Sequence, residues 1–487
     1  MRQPLIYLLA PILLLICACS SAIPRDSVVH IETQHWSLDH RYPWRIDDIA
    51  TAYGSGVYLG RGLVLTNAHV VQNPQQIVIS AANQLVRMTG QLAHISEEAD
   101  LALVQLDTEQ ADRWFKPIRF DGDLQVGDAV QTLGFPGGGM SPALTSGVVS
   151  RISIERYAHS GRRLQIIQVD AAINGGASGG ALLRNGKLAG ILFQMAPDQQ
   201  NVGHVIPMRI IRQFLVDAAD GKIDGAPSLG IAGEQVLNPM KRARYELGED
   251  RHGIEIIDLS AYAQRSGLQV GDLILAMNSK IIGAGGRLQG DSDISLELAI
   301  AENQIGDSII LTLQRDGRVF DRSVKLEQRW SDHYLLPIPS SGDWPAWLSV
   351  AGVVMIEIND GYFDSVEDAS DYLEALSNEY KTDAECPQSA VIIANILPHA
   401  ANQDYSPWTE ERIVEVNGAR IQNFKHLNYL VNSATDPWIE MVTAPSGGRL
   451  VFERAALANI DAEIAASWQL PQNPFPAQPD SLSGICH

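Results

Sequence analysis

The sequence predicts a mainly β protein of several domains, and three observations carry that prediction. Between about residues 46 and 215, short apolar runs recur: "GSGVYLG", "GLVLTNAHVV", "QIVIS", "LALVQL", "AVQTLGF", "QIIQV" and "KLAGILFQM". Gly, Pro, Asn and Asp break them at regular intervals, the pattern of an all-β sandwich or barrel. Beyond Pro227, strand-like and helix-like runs alternate, as in α+β units. The 487 residues exceed one ordinary core and point to about three domains.

The N-terminal "MRQPLIYLLAPILLLICACSS" has Arg2 and then an almost unbroken apolar stretch. That is the make-up of a secretory signal, and it is short for a spanning helix, which needs roughly 20 apolar residues. Cys19 follows Ala18 and precedes Ser20, as the cysteine of a bacterial lipobox does. Cys17 follows Ile16, a poor cleavage residue. Residues 1–19 are therefore expected to be a lipoprotein-type signal, with Cys19 lipidated and the mature protein in the periplasm or cell envelope. Cys386 and Cys486 could pair in that oxidising compartment. Residues 20–45 show little periodicity and read as an extended lead-in.

The formal net charge of −21 repels phosphates and argues against nucleic-acid binding. No Cys/His cluster has metal-ligand spacing, so neither a structural zinc nor a cofactor is expected.

A first domain spans 46–222 and closes on a helical stretch, "MRIIRQFLVDAAD". A second spans 227–331, with strands "GIEIIDL", "DLILAMNSKII" and "SIILTLQRDG" and short helices "AYAQRSGL" and "ISLELAIAEN". The Ser/Pro/Trp-rich "SDHYLLPIPSSGDWPAW" reads as a linker. Residues 347–455 repeat the layout through "GVVMIEI", "SAVIIANIL", "RIVEVNGARI", "FKHLNYLVNSA", "WIEMVTA" and "LVFER". Asn278 and Asn417 sit at matching turns, where left-handed backbone is tolerated. The proline-bearing tail, 456–487, is expected to be loosely ordered.

"INGGASGGAL", residues 173–182, sets one hydroxyl among glycines between two strand-like runs. A serine nucleophile needs a base, and the base needs an orienting carboxylate. Its tetrahedral intermediate needs backbone N–H donors, which a glycine-rich turn can bring to one point. Ser178 is the candidate nucleophile, with the N–H groups of Gly176 and Ser178 as oxyanion donors. His69 follows the apolar run "GLVLT", and Asp100 stands directly before "LALVQL", which reads as an alternating strand. His94, His159, His252 and His399 fall in polar stretches and read as solvated. "GFPGGGM" lacks a Lys-Ser/Thr ending and reads as a turn, not a phosphate loop.

"VLTNAHVV", "ADLALVQL" and "VDAAINGGASGGAL" together resemble the three catalytic blocks of the HtrA/Deg serine proteases. The resemblance implies a chymotrypsin-like double β-barrel followed by two α+β PDZ-like domains. In it His69 is the general base, Asp100 its partner and Ser178 the nucleophile. Ala177 and Ala181 stand where the family has Asn and Pro, and His204 replaces an aromatic or apolar residue near the specificity pocket. "SLGIAG" resembles a PDZ carboxylate loop, which assigns Leu229, Gly230 and Ile231 to a peptide C-terminus. Residues 347–455 resemble the divergent second PDZ domain of plant-type Deg proteases, with no comparable carboxylate loop before them. The implied function is ATP-independent proteolysis of misfolded envelope proteins by a homo-oligomer, a trimer or a multiple of one. The competing expectation is a proteolytically silent chaperone or PDZ-based scaffold.

Overall fold

The computed structural model describes residues 23–82, 86–139, 141–157, 163–195, 203–290, 294–336, 338, 340–359, 361–366, 370–376, 379 and 388–471. Cys17, Cys19, His159, Cys386 and Cys486 lie outside the described residues.

Strands β1 (Val28–Leu38), β2 (Ile46–Gly60), β3 (Leu63–Thr66), β4 (Pro74–Ser80), β5 (Arg87–Ser96) and β6 (Leu101–Gln105) close into a barrel ordered β1-β2-β3-β6-β5-β4. Strands β7 (Ala129–Gly134), β8 (Ala143–Arg156), β9 (Arg163–Val169), β10 (Ala181–Arg184), β11 (Lys187–Met195) and β12 (Gly203–Pro207) close a second, ordered β10-β11-β12-β9-β8-β7. This is the double-barrel fold of chymotrypsin-like proteases.

The first barrel corrects the expected lead-in, because β1 lies within it. Val29 and Ile31 fill the barrel, while Val28 joins a cluster between the barrels and His30 packs edge-on against Phe135. A strand covered on both faces loses its polar/apolar alternation, so its period went unread. The same reason corrects β6: Leu101 and Leu103 face the second barrel while Ala102 and Val104 fill the first.

The inter-barrel cluster also holds Val57, Leu65, Leu133, Phe135, Phe193 and Ile206. Burying each such side chain contributes about 1.5–3 kcal/mol. Helix α1 (Ala68–Val71) follows β3, α2 (Thr108–Trp114) follows β6, and α3 (Met208–Ala219) seals the cluster with Ile211 and Phe214.

Two α+β units follow. The first orders its strands Ile231–Gln235, Ile254–Leu259, Leu273–Met277, Ser308–Arg315 and Arg318–Lys325. The second orders Trp347–Val350, Val353–Glu357, Val391–Ile396, Arg412–Val416, Trp438–Ala444 and Arg449–Glu453. Their matching turns use one device. Asn278 is left-handed (φ 47°), and its N–H and Oδ1 bond the Ile310 carbonyl and N–H, each at 2.8 Å. Asn417 (φ 48°) does the same with Glu440, at 2.8 and 2.7 Å.

The tail is corrected too, since Arg454–Trp468 is a helix. Its Ile464 packs in a cluster with Val354 of the last unit and with Tyr42 and Trp44 of the β1–β2 hairpin. Trp44 also lies 5.0 Å from Trp347, centroid to centroid, and Trp36 stacks on Trp344 at 5.6 Å. The hairpin thus docks onto the C-terminal unit.

Candidate active site

β3 ends at Thr66, and Asn67 turns the chain into α1, placing His69 in its first turn. Asp100 sits immediately before β6 in a left-handed conformation (φ 51°), which Asp tolerates better than most residues. β3 pairs with β6, Thr66 opposite Ala102, so the two residues meet beside the paired strands. The Asp100 carboxylate is buried and spans one residue at two points. Oδ1 accepts the His69 backbone N–H at 2.9 Å, and Oδ2 lies 2.8 Å from His69 Nδ1. Asn67 Nδ2 donates to the Asp100 carbonyl at 2.9 Å, fixing the turn. The His69 side chain is 19% exposed against 1% for Asp100, so the imidazole is the accessible member of the pair and the carboxylate its buried anchor.

Ser178 lies on the turn between β9 and β10. That turn is pressed against the first barrel. The Ser55 N–H donates to the Ser178 carbonyl at 2.8 Å, and a Cβ on Gly179 (φ 82°) would fall 2.0 Å from the Ser55 carbonyl and 2.3 Å from Thr66 Oγ1. Only glycine fits there. Thr66 stands three residues before His69, so the Ser178 turn abuts the strand end that delivers the imidazole. Ser178 Oγ donates to the Phe193 carbonyl at 2.9 Å.

Gly176 has φ 87° and nests against loop 135–138, where an added Cβ would meet Gly137 N and the Phe135 carbonyl at 2.8 Å. The Gly137 N–H donates to the Gly175 carbonyl at 2.5 Å. Among the described residues, neither the Gly176 nor the Ser178 N–H is donated to another backbone group. Residues 134–139 of that glycine-rich stretch thus make a turn, as expected, but one that braces the serine loop.

Ser55 was legible only as part of a strand. Its Oγ donates to the Gly176 carbonyl at 2.9 Å and accepts the Phe135 N–H at 2.8 Å. Its register partner across β1 is His30, buried, with neither ring nitrogen hydrogen-bonded among the described residues. Burial holds the His30 pKa below its usual value. The "GSG" spelling, a hydroxyl between two glycines in an apolar strand, was the available signal. His204 lies on β12 opposite Gln168 and Gln194, and burial lowers its pKa as well. Two other histidines depart from the reading as loop residues without a carboxylate partner. His94 is on β5, and His399 Nε2 lies 3.3 Å from Glu463 Oε2.

In the first α+β unit the edge strand Ile231–Gln235 pairs, among the described residues, on one side only, with Ile254–Leu259. The Leu229, Gly230 and Ile231 loop precedes it. Gly230 N–H donates to Ser228 Oγ at 3.1 Å, so an incoming carboxylate would compete with that hydroxyl.

A trypsin-like peptidase domain matches residues 54–191, and a PDZ domain matches 337–474. The chain is 28% identical over 424 residues to the mitochondrial protease Do-like 4 of Arabidopsis thaliana, covering 85% of this chain and 78% of that protein. It is 32% identical over 283 residues to a probable periplasmic serine protease do/HhoA-like of Haemophilus influenzae, covering 56% of this chain and 58% of that one. The solved HtrA-type protease AlgW with tripeptide shares its fold at a TM-score of 0.51 and 24% identity, over 64% of this chain and 95% of that one. The two barrels, the peptidase and PDZ matches and the Do-like relatives support the HtrA/Deg family, and they make this chain a serine endopeptidase.

Proposed function

We propose that the chain is an ATP-independent endoprotease of the bacterial envelope that degrades misfolded or damaged proteins through Ser178, His69 and Asp100. The observation that carries the reading is the His69 Nδ1–Asp100 Oδ2 pair, seated at the end of β3, whose Thr66 hydroxyl donates to the carbonyl of Ser55, the residue whose N–H holds the Ser178 carbonyl. With Nδ1–H donated to Asp100, Nε2 of His69 is left as the acceptor. Ser178 Oγ leaves the Phe193 carbonyl, passes its proton to Nε2 and attacks the scissile carbonyl. The Gly176 and Ser178 N–H groups receive the developing oxyanion. His69 then protonates the leaving amine, and a water, deprotonated by the same imidazole, releases the acyl group from Ser178.

The chain offers the 229–231 loop and the open 231–235 edge to an extended peptide C-terminus, by strand addition. The solved structure named with a tripeptide supports peptide binding by the chain. The second PDZ unit is read as a divergent, plant-type one that serves assembly or regulation, and the assembly as a trimer or a multiple of it. The signal-like N-terminus with Cys19 supports an envelope lipoprotein, as does the relative described as periplasmic.

Purified mature protein and Ser178→Ala are incubated with denatured casein, with a fluorophosphonate probe and with PDZ-binding peptides. Cleavage and labelling by wild type alone are expected. Failure of both in wild type, across temperatures, overturns the reading. Mass spectrometry of the mature N-terminus tests lipidation; an unmodified start at Ser20 or Ala22 rules it out.

A further inference from the structure

The turn that carries Asp100 is gripped from outside by the segment joining the two PDZ units. Glu97 and Glu98 stand between β5 and Asp100, and the Asp100 N–H donates back to the Glu97 carbonyl at 3.3 Å. Glu98 is 5% exposed, and its Oε1 accepts the Ser331 N–H at 3.0 Å. Glu97 Oε1 accepts the Ser341 N–H at 2.7 Å. Burial pushes the Glu97 carboxyl up, while the Ser341 N–H and Arg329 pull it back.

The same segment reaches the His69 side. Asn73, two residues beyond α1, donates its N–H to Ser341 Oγ at 2.7 Å and accepts the Gly342 N–H at Oδ1, also at 2.7 Å. One strap therefore ties down the turn before Asp100 and the turn after His69. Its near end bears on the first PDZ unit, where His333 Nδ1 lies 3.0 Å from Ser260 Oγ and Nε2 3.3 Å from the Ser228 carbonyl.

We propose that Glu98 is a positioning residue for proteolysis: held by the strap at Ser331, it fixes the turn that aims the Asp100 carboxylate at His69. This rests on reading His69 and Asp100 as the catalytic pair. A buried carboxylate accepting a backbone N–H makes a charge-assisted bond, stronger than a neutral one. Deleting it also leaves the Ser331 N–H without that acceptor. Both effects slacken a turn whose next-but-one residue is Asp100, and small misplacements of a catalytic group are costly in rate.

The test uses the full chain. Glu98→Ala is expected to lower kcat on denatured casein about tenfold while KM moves less than about twofold. Glu98→Gln, whose amide oxygen still accepts the Ser331 N–H, is expected to stay near wild type. Asn73→Gly removes the bond to the Gly342 N–H while keeping the left-handed backbone (φ 45°) and the main-chain bond to Ser341 Oγ, and it too lowers kcat, by less than Glu98→Ala. Amide exchange read by mass spectrometry in a Ser178→Ala background gives a measure that needs no turnover. Peptides spanning 66–73 and 97–101 should exchange faster with Glu98→Ala and not with Glu98→Gln. Unchanged exchange in Glu98→Ala overturns the proposal, as does a Glu98→Gln loss equal to that of alanine. If wild type neither cleaves nor labels, the catalytic reading fails by itself, and the exchange data still decide whether Glu98 holds the Asp100 turn.

Discussion

The Ser55 N–H donates to the Ser178 carbonyl at 2.8 Å, joining the first barrel to the serine turn of the second. The Ser55 hydroxyl adds two bonds to the same junction, to the Gly176 carbonyl and the Phe135 N–H. Removing the hydroxyl leaves the main-chain link intact but frees the Gly176 peptide. Ser55→Ala should keep its fold and lose roughly tenfold in kcat/KM, about 1.4 kcal/mol, within the about 1–3 kcal/mol of an unmade buried hydrogen bond. Casein kinetics beside a thermal melt check this. A large fall in melting temperature with unchanged specific activity contradicts it.

The pairing of Asp100 with both the backbone and the ring of His69 predicts a specific defect. Asp100→Asn should fold normally and lose on the order of 10⁴ in kcat, because an amide favours the wrong imidazole tautomer. Steady-state kinetics and fluorophosphonate labelling both read it.

Gly179 tests the interface between the barrels. Gly179→Ala puts a methyl 2.0 Å from the Ser55 carbonyl on a backbone with φ 82°. Neither the clash nor the φ can be relieved cheaply, so the variant should lose at least about 3 kcal/mol of stability. Denaturant titration measures it.

Much of this site could be read from the residues alone. His69, Asp100 and Ser178 each sit at the edge of an apolar run, and the structure pairs His69 with Asp100 beside β3 and β6 and sets Ser178 on the turn before β10. What stayed hidden has three separate causes. β1 is covered on both faces, so its Val28–Leu38 pattern carries no period two. Ser55 and Glu98 act through bonds to residues 121 and 233 positions away. No local spelling encodes such partners. Helix Arg454–Trp468 was obscured by the prolines beyond it, although its own residues are good helix formers.

His30 makes a pH prediction. Its folded pKa lies below the usual value of 6.5 because it is buried. A base with a depressed folded pKa takes up its proton more readily when unfolded. Its contribution to stability is therefore complete above about pH 6.5 and is lost as pH falls toward the folded pKa. His40 and His204 act in the same direction. Wild type should lose melting temperature between pH 7.5 and 5.5, and His30→Phe should lose less. Equal slopes in the two proteins contradict the assignment.

The docking of Trp44 on Trp347 and of Tyr42 against Ile464 has a consequence for biogenesis. A chain emerging from its N-terminus presents the β1–β2 hairpin hundreds of residues before the surface that covers it. The peptidase half therefore waits, its aromatic tip bare, until the last unit has been delivered. In vectorial synthesis the hairpin tip thus stays uncovered until residues as far along as Trp347 and Ile464 have emerged.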